Sequence, residues 1–425
     1  MRLALGIGLV CGACLAGGVA WALHLPHHRA RAETLVPSGA FMTGGTPADE
    51  PAIEHVLAED LADFVRETDD DVHGSSAAAV ARPAHALALR ASPAMAAYGP
   101  ALAGAWASLI DALGGWDKAT SKQHLAELRS AAHRVSEELA ALGIGYHLEA
   151  NAFRDHAIVF AFRVEDVAYE HAGDTAVRVL SLRRIDRLNV EQALLGMQTE
   201  DGADPVVMLD QIDELARNKL AEPDWFPVGD DAWSTSPEGQ RVSAAAGAAI
   251  GHELAGHDVA RAIVATVRRH EARHAIDIAA ETETGEPPPD PPALARYVGG
   301  KGTVELRARA ELSAYVSQIA SDPLTPQLAL WNLANIGFGA NHRGSAESFV
   351  AATVIEALAR HRGVIGSDKP TVKAGVIDRH RLAELALPLA ALSDAELRAA
   401  AREVWVDLYH QPLEPIVETS ARILL

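Results

Sequence analysis

The run Val259–Ala280, "VARAIVATVRRHEARHAIDIAA", contains neither Gly nor Pro. Val259, Ile263, Val267 and Ile278 recur in it at helical spacings, so a long α-helix is the element around which the rest of this chain must be arranged. The same run carries "HEARH" at residues 270–274. Positions i and i+4 of a helix lie about 40° apart around the axis and one turn apart along it. His270 and His274 therefore point the same way and are placed to grip one metal ion, with Glu271 beside them to hold a water without coordinating the ion. The nearby "GHELAGHD" behaves differently. His252 and His257 are five residues apart, about 140° around a helix, so they diverge and read as solvated surface.

A chain of 425 residues has room for two domains, or for one large domain with an accessory segment. With 49% hydrophobic and 22% charged residues it buries a substantial core. Only 5% of residues are aromatic, and alanine supplies much of the apolar fraction, which favours helices over a β-sandwich. The net charge of −20 argues against a nucleic-acid partner.

Residues 3–23 form an apolar run after Arg2, close to bilayer-spanning length, and Ala20 and Ala22 form an A-x-A pattern. The expectation is an exported protein, periplasmic, secreted or membrane-anchored, with 1–23 as cleaved signal peptide or retained anchor. Membrane attachment would run through residues 3–23. Cys11 and Cys14 both lie in this leader, with Cys14 a candidate for lipidation, so the remainder has no disulfide and no thiolate ligand. A metal must then be held by His, Asp or Glu.

Residues 24–50 read as a linker, being rich in Gly, Pro, Thr and Ser from 33 onward. Residues 51–143 read as an N-terminal helical region. Ile53, Val56, Leu57, Leu61, Phe64 and Val65 share one helical face, and Leu125, Leu128, Val135 and Leu139 share another before Gly143. Strands are expected at about 145–210, with Ile158, Phe160, Phe162 and Val164 alternating in "DHAIVFAFRVED" and "YEHAGDT" turning towards "AVRVLSLRRID". From 240 onward the pattern predicts only helices: an active helix at 258–280, a second at 303–320, and further C-terminal helices. The fold class is thus α+β, predominantly helical, with a small β-sheet preceding a helical core.

A catalytic zinc usually takes three protein ligands and keeps one position for water. Without cysteine, a carboxylate is the leading third ligand, and "GTVELRARAELSAYVSQIA" offers Glu305 and Glu311. These are six residues apart, about 240° around a helix, so both cannot face one ion. Glu305 sits among Arg307 and Arg309, whereas Glu311 leads a buried-looking face with Ala314, Tyr315 and Ile319.

HExxH on one helix with a glutamate on a second, downstream helix resembles the gluzincin zinc metallopeptidases. The resemblance covers roughly 140–425 in organisation, though its specific motif is short and no subfamily is indicated. It implies a metallopeptidase-like domain over 144–425, Zn2+ held by His270, His274 and Glu311, and Glu271 as general base. It also implies a peptide or protein substrate, held by the edge strand of a sheet ahead of the active helix. The sequence departs from the pattern at Arg268 and Arg273, two flanking positions that are usually uncharged. Asp277, on the stripe of His270 and His274, is a candidate for orienting His274 or for a structural salt bridge. Tyr409, His410 and His342 are weaker candidates for stabilising an oxyanion. Two alternatives stand beside the peptidase: a non-catalytic binding or scaffold protein on a peptidase-like fold, and an anchored helical protein without metal.

Overall fold

The computed structural model describes residues 50–72, 76–116, 121–153, 156–188, 196–197, 204–221, 231–285, 291–298, 302–339, 344–364 and 369–419. The leader and linker, with their cysteines, and His342 lie outside the described residues. No described helix is long and apolar enough to cross a membrane. Contacts divide the chain into two units: Tyr169–Val179 with Ala193–Thr419, and Val36–Ala168 with Leu180–Gln192.

In the second unit the apolar face that begins at Ile53 continues through α1 (Leu61–Val72), and Ile53, Leu57, Leu61 and Phe64 are fully buried, as their spacing predicts. Helices α2 (Ser76–Arg90), α3 (Pro100–Gly114) and α4 (Ser121–Ala141) follow. The last packs on β1 (Tyr146–Phe153); its Leu128, Val135 and Leu139 are buried and Leu125 is half-buried. Gly143, at φ 75°, ends the helical segment in the left-handed region that glycine adopts without strain. Strand β1 pairs antiparallel with β2 (His156–Ala172), from Tyr146↔Arg163 to Phe153↔His156. Glu54, on the short helix Pro51–His55 ahead of α1, is tied to this pair, accepting from the Tyr146 hydroxyl at 2.9 Å and from Arg163 Nη2 at 2.8 Å.

Strand β2 turns at Gly173 (φ 56°) into β3 (Thr175–Arg184), giving the expected hairpin. The strand order is β1-β2-β3-β5-β4, where β4 is Gly196–Met197 and β5 is Val206–Met208. After β5 the first unit is mostly helical: α5 (Leu209–Ala221), α6 (Pro237–Leu254), α7 (Val259–Thr284), α8 (Pro292–Val298), α9 (Thr303–Ser321), α10 (Pro326–Phe338), α11 (Ala346–His361), α12 (Arg379–Ala386) and α13 (Asp394–Tyr409). The protein is therefore predominantly helical α+β with a small sheet.

The expectation of helices alone after 240 needs correcting. Strands β6 (Val372–Lys373) and β7 (Val376–Ile377) form a hairpin whose turn places Ala374 and Gly375 at φ 51° and 77°. Strand β8 (Val417–Thr419) pairs with β2 over Tyr169–His171. Strands of two or three residues are too short to show an alternating pattern, so only pairing reveals them.

Helix α9 is the hub of this unit. Helices α7, α8, α10, α11 and α13 all pack on it, and every residue from Glu311 to Ala320 is buried. Trp331, Phe338 and Phe349 fill the surrounding core and are fully buried. Each contributes roughly 2–3 kcal/mol by leaving water. A helix enclosed on all sides must partner any polar side chain it carries, because an unpartnered one costs on the order of 1–3 kcal/mol. The polar residues of α9 are therefore where function is to be sought.

Glu170 on β2 is a second buried polar group, and neither of its carboxylate oxygens has a hydrogen-bond partner. Burial pushes its pKa from 4.5 to about 7. Arg269 and Arg268 oppose that rise, while Glu418 and Asp322 add to it. The folded protein thus holds this proton more tightly than the unfolded chain, so the stabilisation is present below about pH 4.5 and lost as pH rises through about 7. Glu170→Gln keeps the shape and cannot ionise. Its stability relative to wild type should rise between pH 5 and 7 and level off above, with a total change on the order of 3 kcal/mol. Denaturant unfolding of both proteins across this range checks it; parallel profiles would contradict the proton assigned to Glu170.

Candidate metal centre

Helix α7 begins where the Asp258 side chain accepts from the Arg261 backbone N–H at 3.1 Å, and it ends at Gly285 with φ 71°. Between these stops the helix is unbroken, so His270 and His274 lie one turn apart on one face. Helix α9 runs antiparallel against that face: Thr266 meets Gln318, His270 meets Tyr315 and Asp277 meets Ser313.

This packing brings three ligand atoms together. His274 Nε2 lies 3.2 Å from His270 Nε2, which lies 3.4 Å from Glu311 Oε2. Among the described residues His270, His274 and Glu311 form a group able to hold a metal ion, with ligand atoms within 4.8 Å of one another. Glu305 is turned away and bonded to Arg309 one turn along the helix, as the 240° offset requires. His252 and His257 are exposed, as their divergent spacing predicts.

The charges within the group are interdependent. Burial disfavours a charged His270, but its hydrogen bond to Glu311 and the negative fields of Glu311 and Glu271 outweigh this and raise its pKa. Burial alone would raise that of Glu311, yet the bond from His270 and the neighbouring histidines hold it well below the usual range. His274 is pushed down by burial and by His270, so it stays neutral. Both shifts favour the charged forms of His270 and Glu311, each stabilised by the other.

Glu271 lies outside the ligand group, beside His270, and is buried. Burial raises its pKa to about 7, with His270 opposing and Glu311 adding. Strand β4 covers it closely: a Cβ on Gly196 would stand 2.7 Å from Glu271 Oε1 and 2.9 Å from Val267 Cγ1. Only glycine lets the backbone come so near.

Asp277 is occupied by other partners. One oxygen pairs with Arg273 Nη2 and the other accepts from the Ser313 hydroxyl, while Arg273 Nε donates to Ser313 Oγ at 3.1 Å. The Arg273 guanidinium also lies 4.6 Å from the Trp405 ring centroid. The charged residue inside the motif is thereby neutralised by a salt bridge within α7. Arg268 is directed towards Glu418, 3.9 Å away. Tyr409 is buried against Trp405, ring centroids 4.3 Å apart, and burial and Asp277 raise its pKa. This places it beside the Arg273–Asp277 pair. His410 is the exposed left-handed cap of α13.

Two contributors went unnoticed in the sequence: Gly196, and Gln318, whose Oε1 is 3.2 Å from His270 Nδ1; Tyr315, expected on the buried face of Glu311, is buried there with its ring edge-on 4.5 Å from that of His270. Gln318 had a legible signal. It lies seven residues beyond Glu311, 20° short of two full turns, on the same face. No family model, curated protein or solved structure matches this chain.

Proposed function

We propose that this protein is a zinc-dependent peptidase, with His270, His274 and Glu311 as ligands and Glu271 as general base. The observation that carries the reading is the ligand spacing. Four donors arranged tetrahedrally at about 2.0–2.1 Å from zinc stand roughly 3.3 Å from one another. The separations of 3.2 and 3.4 Å at His270 match that figure. Two imidazoles and one carboxylate leave a fourth position open, as catalytic zinc requires.

Zinc held by His270, His274 and Glu311 would supply Lewis acidity, polarising a peptide carbonyl and lowering the pKa of water. Glu271, buried beside His270, would take the water's proton and pass it to the leaving amine. Among the described strands β4 ends the sheet, beside Glu271. An extended peptide adding to that edge would lie along the base.

The rival is a metal-holding protein without catalysis, and the close cover of Glu271 by Gly196 is the observation on its side. The first test is composition. The purified chain should carry about one zinc, lost when His270 and His274 are both changed to Ala. Full zinc in the double variant ends the metal reading.

A further inference from the structure

We infer that Gln318 is the positioning residue of this centre, fixing which nitrogen of His270 faces the ion; the inference rests on the metal reading above. Gln318 is only 4% exposed, so water does not compete for its bonds. Its Nε2 donates to the Thr266 carbonyl at 3.0 Å and to Thr266 Oγ1 at 2.9 Å. Its Oε1 faces His270 Nδ1 at 3.2 Å. The amide has one donor end and one acceptor end. A carbonyl only accepts, so the amide nitrogen must face Thr266, and the reversed amide would set two acceptors against each other. The orientation is settled by the partners rather than by the shape of the amide.

Consequences for His270 follow in order. Oε1 only accepts, so Nδ1 must carry a hydrogen whether the ring is neutral or charged. The lone pair of the neutral ring then lies on Nε2, the atom turned towards His274 Nε2 and Glu311 Oε2. Gln318 thereby selects the tautomer whose lone pair points at the ligand group and holds the ring's rotation. Helix α9 supplies both Glu311 and this support seven residues later, and α7 supplies both His270 and its anchor Thr266 four residues earlier. An amide suits the position because it adds no charge beside Glu311 and Glu271, both already buried.

The test uses the full chain and zinc as probe. Gln318→Met keeps length and removes the acceptor; Gln318→Glu, buried beside two other carboxylates and so held as the neutral acid, keeps a carbonyl acceptor for Nδ1 and a hydroxyl donor for Thr266. Zinc affinity by chelator competition should fall about 10–100-fold in the Met variant and return to within a few-fold of wild type in the Glu variant. A residue needed only for packing would not show this rescue. In histidine-labelled, metal-free wild type, nitrogen NMR should show the neutral His270 ring bearing its hydrogen on Nδ1. Equal zinc affinity in wild type and the Met variant, or a neutral His270 with its hydrogen on Nε2, overturns the inference. If the Met variant does not fold, the wild-type spectrum and the Glu variant still decide. A wild-type chain that binds no zinc overturns the metal reading instead.

Discussion

Glu271→Gln should retain zinc and lose hydrolysis by about 10²–10⁴-fold, the usual contribution of a positioned general base. Glu271 stands outside the group of ligand atoms, so its removal leaves the two imidazoles and Glu311 in place. The amide also preserves the packing beneath Gly196. Cleavage of a broad peptide library by wild type and variant, with zinc measured on both, checks the result. Equal cleavage by the two proteins would remove Glu271 from the mechanism. Cleavage by neither, with zinc retained by both, would favour a metal-holding protein without catalysis.

Glu311→Gln should weaken zinc by more than the about 10–100-fold that changes outside the ligand shell cost. The amide keeps the shape but gives up the negative charge that Glu311 holds against His270 and His274. Glu305→Gln should leave affinity nearly unchanged, because Glu305 is engaged with Arg309. Chelator competition on both variants decides. If Glu305→Gln loses the ion and Glu311→Gln keeps it, the face of α9 assigned to the centre is wrong.

The two ligand helices were legible because helical geometry is local. A run free of Gly and Pro, opened by Asp258 and closed at Gly285, states its own limits, and the offset between Glu305 and Glu311 separates them by arithmetic. What sequence could not supply was register between helices. Whether Asp277 meets His274 or Arg273 depends on the rotamers of a packed interface, and Ser313 on another helix helps to decide it. The same holds for Gln318, whose partner lies 48 residues away. Gly196 was hidden for a different reason: its strand is two residues long, and its importance lies in the side chain it lacks.

Two ties between α7 and α9 bracket the ligand atoms. Gln318 joins Thr266 and His270 on one side; Ser313 joins Arg273 and Asp277 on the other. Both ties are made wholly by this protein's own side chains and backbone, so the register of α7 against α9 is pinned on both sides of the three clustered side chains. Replacing Glu311 or His274 leaves both ties whole, and the two helices keep their grip on each other.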